Sequence, residues 1–211
     1  MEWGAILVLG AYHGINPGMG WLFAVALGMQ QGSARGVWRA LPPIALGHAL
    51  AVGVVILAAG LVQLVVPLHV LKLVVASILL TLGFYKLWRQ RHPRFGGMQV
   101  GFRDLATWSF LMASAHGAGL MVLPFVMELP AGVAAAGAGH AHHAAAPGNG
   151  PMAVAFMALG VHTVAYLLVM AGAAWVVYRK LGLALLRTAW FNMDWLWAGA
   201  LVVTGAIVLL A

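Results

Sequence analysis

Apolar residues run along this chain in six long blocks, separated by shorter polar or turn-rich connectors. A spanning helix needs roughly 20 consecutive apolar residues. Six blocks reach that length: about 4–28, 42–66, 69–88, 106–128, 152–177 and 191–211. Trp3, Trp88, Trp108, Trp175, Tyr178 and Trp190 fall near block ends, where interfacial aromatics belong. The pattern predicts an all-α integral membrane protein of six transmembrane helices in a single domain over 1–211. No cleavable signal is expected, because Glu2 stands where a basic n-region would be and the first block outruns a signal peptide.

Polar positions inside the blocks recur in a duplicated arrangement. Tyr12-His13-Gly14 interrupts the first block and Ala115-His116-Gly117 the fourth. His48 lies in the second block and His162 in the fifth. The pairing predicts two three-helix repeats, one over about 1–90 and one over about 104–211, joined by a basic linker at 89–103. Three helices per repeat is an odd number, so the repeats are inverted relative to each other. Such repeats, with polar groups at matching depth, point to a transporter site near the bilayer midplane.

Charge sets the expected orientation. Ten of the eleven basic residues fall on one side of the six-helix scheme: Arg35, Arg39, Lys86, Arg89, Arg91, Arg94, Arg103, Arg179, Lys180 and Arg187. Only Lys72 falls on the other. By the positive-inside rule the basic side is cytoplasmic and both termini are outside, which predicts a plasma-membrane (inner-membrane) protein of bacterial type. Composition agrees: 64% of residues are hydrophobic and 7% charged, against about 25% charged in a soluble domain. The net charge of +7 is therefore a topology signal and implies no nucleic-acid partner. The expected partners are the lipid bilayer and a small ion or small-molecule substrate, and self-association is compatible with the pattern. The chain has no cysteine, which excludes thiolate chemistry.

The first block carries the sharpest local chemistry. Pro17 has no N–H, so the carbonyl of His13 loses its helical partner there. Asn16 lies three positions after His13, on nearly the same helix face. One turn therefore offers an imidazole, an amide oxygen and a freed carbonyl. Gly14, Gly18 and Gly20 let the chain unwind, Gly117 does so in the second repeat, and Gly10, Gly14 and Gly18 make a strip for close helix packing. From block ends at 1.5 Å per residue, His13 and His162 lie about 15 Å below the outer edge and His116 about 15 Å from the inner one. His13, Asn16, His116 and His162 are thus expected to converge, with His48 nearer the cytoplasm.

Buried imidazoles are transition-metal ligands and also titrate near physiological pH. Three or four of them suit Ni, Co, Zn or Cu better than Ca or Mg, which want oxygen. His13, His116 and His162 are the expected metal-binding set. Met19, Met112, Met121 and Met170 offer thioethers that only copper would use. The Ala/Gly/Pro-rich segment 130–151 contains His140, His142 and His143 and reads as an external loop without a fixed fold, an accessory metal collector at most. Asp194 reads as a helix N-terminal anion or a cytoplasmic gate. No nucleotide-binding loop, zincin motif or hydrolase elbow is present, so neither an enzyme nor an ATP-driven pump is expected, and no tightly bound cofactor.

With six spans, inverted halves and the broken turn His13-Gly14-Ile15-Asn16-Pro17-Gly18-Met19, the chain resembles the lysine-exporter superfamily of small membrane transporters. The resemblance spans nearly the whole chain as architecture. It implies a secondary transporter, by family habit an exporter, of metal ions or amino acids. The nickel/cobalt branch of that group carries a His-x4-Asp-His signature that this chain lacks. The leading expectation is proton-coupled movement of a small cation, a divalent transition metal. The alternatives are an amino-acid exporter, whose unwound first helix would hold a carboxylate on backbone N–H groups, and an electron carrier with b-type haems ligated by paired histidines.

Overall fold

The computed structural model describes residues 2–88, 101–137, 151–181 and 186–210, and every regular element among them is helical. The first apolar block is split: α1 (Glu2–Ile15) and α2 (Trp21–Gln30) flank a single 3₁₀ turn, Pro17–Met19. Two long helices follow, α3 (Ala34–Gln63) and α4 (Leu68–Trp88). The next block is split again, into α5 (Phe102–Ala115) and α6 (Ala118–Gly137). Then come α7 (Pro151–Val176), which ends in a π turn at Val177–Leu181, and α8 (Leu186–Leu210).

Among the described residues, length and hydropathy qualify fewer spans than the six expected. Ala34–Gln63, Leu68–Trp88 and Met152–Lys180 are long and apolar enough to cross a membrane, and α5 with α6, bent by 66°, makes a fourth if the pair is one span. Trp3–Ile15, Trp21–Gln30 and Trp195–Leu210 are shorter apolar helices. The outer surface is compatible with a membrane. On α3, Leu46, Leu50, Val54, Leu57 and Leu61 form an exposed stripe at helical spacing, while Ile44, His48, Val52, Ile56 and Ala59 on the same helix are buried. An apolar face of that extent on a water-soluble monomer would be exceptional.

Several boundaries differ from expectation for local reasons. α3 begins eight residues before the expected start, because the Ser33 side chain accepts the Arg35 N–H at 3.2 Å and caps the helix. Arg35 and Arg39 therefore lie on the first turns of a helix, and Pro42 and Pro43 lie inside it. Removing this cap with Ser33→Ala is expected to cost about 1 kcal/mol, readable as a small drop in thermal midpoint with no change in oligomeric state. At α5 the Asp104 carboxylate accepts the Gly101 N–H at 2.9 Å, so this acid starts a helix. α6 continues to Gly137, into the segment expected to lack structure, since its alanine run is strongly helix-forming. Most of the linker at 89–103, and His140, His142 and His143, lie outside the described residues.

The two halves interleave. α1 packs chiefly on α7, α3 on α5, and α4 on α8, with α3 and α7 also in contact. Glycines permit the closest approaches. A Cβ on Gly10 would collide with the His162 carbonyl, one on Gly14 with the Tyr166 carbonyl, and one on Gly47 with the Ala106 carbonyl. These backbones meet with nothing between them, the contact that small residues allow between apolar helices.

Candidate functional site

Each of the four histidines sits near the middle of its helix or broken pair. His13 lies in the last turn of α1, and His116 caps the end of α5. His48 is central in α3 and His162 in α7. The close packing of α1 on α7 and the α3–α7 contact bring three of them into one cluster. Ring centroids are 5.4 Å apart for His13–His48, 5.0 Å for His13–His162 and 5.5 Å for His48–His162. All three side chains are 0% exposed.

Hydrogen bonding fixes which nitrogens face inward. His13 Nδ1 lies 2.6 Å from the Leu9 carbonyl oxygen, and His162 Nδ1 lies 3.4 Å from that of Ile6. A carbonyl only accepts, so both Nδ1 atoms carry the proton and both Nε2 atoms present a lone pair. The Nε2 atoms of His48 and His162 are 3.3 Å apart, so His48 donates through Nε2 and its Nδ1 is bare. His13 Nε2 and His48 Nδ1 are buried with no hydrogen-bond partner. Backbone carbonyls holding one ring nitrogen so that the other projects inward is the usual outer shell of a metal-ligating histidine. Among the described residues, however, no group of three or more His, Cys, Asp or Glu side chains is already spaced to hold a metal ion. The rings occupy hydrogen-bonded positions instead.

His116 stands one ring away. Its Nδ1 lies 2.7 Å from the Met112 carbonyl oxygen, the same i−4 bond that His13 makes to Leu9. Trp197 of α8 touches both it and the cluster, its ring 4.8 Å from His13 and 5.5 Å from His116, edge-to-face with both. The Trp197 indole N–H donates to the His116 carbonyl at 2.8 Å, and Tyr12 stacks on the same indole at 5.2 Å. On the other side, Tyr166 stacks on His48 at 4.0 Å and donates its hydroxyl to the Met19 carbonyl at 2.5 Å.

Both breaks are consequently tied by an aromatic donor from another helix, Tyr166 at the first and Trp197 at the second. Sequence reasoning missed both residues. Tyr166 follows His162 by four positions and so shares its helix face, which was a readable signal. Trp197 had no comparable mark.

Asn16 does not join the histidines. Its Oδ1 accepts the Gly18 N–H at 2.9 Å and caps the 3₁₀ turn. The carbonyl expected to be freed at His13 accepts the Asn16 N–H at 3.3 Å, because the chain tightens from α to 3₁₀ geometry ahead of Pro17. At the two breaks the positive-φ positions are Gly20 (φ 139°) and Gly117 (φ 70°), and a third, Gly32 (φ 57°), lies in the turn before α3. Gly117 breaks its helix as expected, whereas Gly14 is a packing residue, Gly18 sits inside the turn, and the hinge falls on Gly20. His48 joins the cluster, its ring 5.4 Å from His13 and 5.5 Å from His162. The backbone at Asp194 is helical within α8, but its side chain lies outside the described residues. The chain was compared with protein-family models, curated proteins and solved structures, and none matches.

Proposed function

We propose that this chain is a secondary transporter that moves a small metal cation through the histidine cluster by alternating access. One observation carries the reading: three fully buried imidazoles from α1, α3 and α7, with two ring nitrogens left unpartnered, between two broken helices. Buried ionisable residues inside apolar helices are costly and usually functional. Broken backbone at such depth is tolerated only where it is enclosed by protein or lines a path.

The proposed architecture has six spans, counting α1 with α2 and α5 with α6 as one each, in two inverted repeats. Paired features support it. Each repeat opens with a broken span bearing a histidine bonded to its i−4 carbonyl. Each is followed by a long helix with a central histidine. The contacts α1–α7 and α3–α5 exchange under the repeat operation, and α4–α8 maps onto itself. Orientation follows from Arg35, Arg39, Lys86, Arg103, Arg179 and Lys180 at the helix ends of one side, taken as cytoplasmic in a bacterial plasma membrane.

Packing favours a cation over the alternatives. An amino-acid carboxylate would need free N–H groups at the first break, yet those of Asn16, Gly18, Met19 and Gly20 are already donated within the turn. A haem between two imidazoles needs a gap for the macrocycle. Here His48 and His162 are in nitrogen-to-nitrogen contact, and Tyr166 and Trp197 cover the ring faces toward His48 and His116.

The driving logic is competition at the imidazoles: a metal needs them neutral, and protonation expels it. Proteoliposomes loaded with purified protein should therefore move Ag⁺, Zn²⁺, Ni²⁺ or Co²⁺ when a pH gradient is imposed. His13→Ala and His116→Ala should each lower flux more than about tenfold, the lower bound for disturbing even an outer-shell metal contact. Deleting residues 139–146 should change apparent affinity only modestly. Parent-like flux in both histidine variants would sink the reading.

A further inference from the structure

The donors around the cluster share two properties that narrow the cargo. They are neutral, and the side chains that meet ring to ring offer nitrogen. Among the described residues the one acid with a described side chain is Asp104, at the start of α5, where its carboxylate caps the helix. The carbonyls of Leu9 and Ile6 already accept from Nδ1–H groups, the Tyr166 hydroxyl donates to the Met19 carbonyl, and the buried Thr163 hydroxyl, next to His162 in the chain, carries no charge. Beyond Tyr166, a methyl on Gly20 would lie 3.3 Å from the Met170 sulfur and 3.4 Å from the Tyr166 hydroxyl. That thioether therefore sits beside the tyrosine that stacks on His48. Met170 and Met19 are buried at 0% and 2%.

We propose that the cation this site takes is monovalent and soft, Cu(I) in chemical class with Ag(I) as its redox-inert counterpart, bracketed by His48 and His162 with His13 as third donor. This rests on the transport reading above and deepens it. The cost of burying an ion grows with the square of its charge, and nothing described at the cluster offsets a second positive charge. Zn(II), Ni(II) and Co(II) complete four or more positions with carboxylate, thiolate or water. The three histidines are 0% exposed, and the adjacent carbonyls are engaged.

A d¹⁰ monovalent ion is satisfied by two or three neutral donors. Two nitrogens on a linear ion stand about 4 Å apart at ~2 Å per bond. The His48–His162 pair, at 3.3 Å, needs to open only slightly, with the His48 proton passing from Nε2 to the bare Nδ1 so that Nε2 presents a lone pair to the ion. The imidazole–thioether succession from His162 to Met170, two turns apart on α7, gives the same ion a second resting place, since thioether selects copper in this oxidation state. No electron moves in this scheme, and the ion keeps its charge throughout.

The test is anaerobic equilibrium binding to the full chain in detergent, with Ag⁺ and with chelator-buffered Cu⁺, against Zn²⁺ and Ni²⁺. One monovalent ion per chain is expected, at an affinity at least about 100-fold above either divalent ion. His162→Ala should lose it, and Met170→Leu should leave it within a few-fold. X-ray absorption on the Ag-loaded parent needs no variant to fold, and it should return two or three nitrogen neighbours with imidazole scattering. Zn²⁺ or Ni²⁺ binding as tightly as Ag⁺ overturns the monovalent assignment and leaves a transported cation standing. A silver shell dominated by sulfur or oxygen overturns the assigned ligands. No binding of any of the four ions overturns both.

Discussion

Gly14→Val is expected to unseat α1 from α7, and Gly47→Val to unseat α3 from α5. A Cβ at either position would lie against backbone, the Tyr166 carbonyl in one case and the Ala106 carbonyl in the other. A flexible side chain could swing away from such a contact, but a helix backbone must move as a whole. Overpacking costs about 1–3 kcal/mol, and these two sites belong at the upper end or beyond. The expected result is a large loss of thermal midpoint and of monodisperse protein in detergent. Gly172→Val on α7 is the control, because a Cβ there meets nothing within 4 Å. If Gly172→Val does as much damage as Gly14→Val, the cost lies in helix propensity and not in packing.

Trp197→Ala carries the second large expectation. Its indole is 1% exposed, stacks on Tyr12, meets two histidines edge-on and holds the His116 carbonyl at the second break. Truncating a buried tryptophan costs on the order of 3–5 kcal/mol. The variant should lose both stability and the separation between His116 and the other three histidines. Trp197→Phe keeps an aromatic ring and removes only the donor, so it should cost about 1–2 kcal/mol and retain cation binding. Comparing thermal midpoints of the two variants separates the ring from the hydrogen bond. Equal losses would mean that the tie to His116 dominates and the ring contacts contribute little.

The sequence pattern disclosed the helical class, the two interrupted blocks and the buried histidines, because each leaves a one-dimensional mark. A proline or glycine beside a polar residue stands out in an apolar run, and so does an imidazole. What it did not disclose depends on partners far away in the chain. The contact of His48 with His162 is made across the α3–α7 interface. The contact of Trp197 with both His13 and His116 depends on how α8 lies against the second break. Asn16 was misjudged for a more local reason: its amide was taken as an outward ligand, and a 3₁₀ turn two residues ahead consumed it. The early start of α3 was hidden by Pro42 and Pro43, which read as a boundary and are carried inside a helix already capped at Ser33.

The interleaving of the halves has a consequence for biogenesis. α1 finds its main partner in α7, and α3 finds its own in α5, so the N-terminal helices leave the ribosome without the surfaces they are shaped to meet. At 5–20 residues per second, roughly 7–30 s of synthesis separate the emergence of α1 from that of α7. During that interval Gly10 and Gly14 face no helix, and His13 has neither His162 nor Trp197 beside it. Ribosome-bound nascent chains stopped before residue 151 should therefore label readily at His13 with an imidazole-reactive probe, and full-length chains should not. The cluster is assembled last, by closure of the later helices onto earlier ones that have been waiting for them.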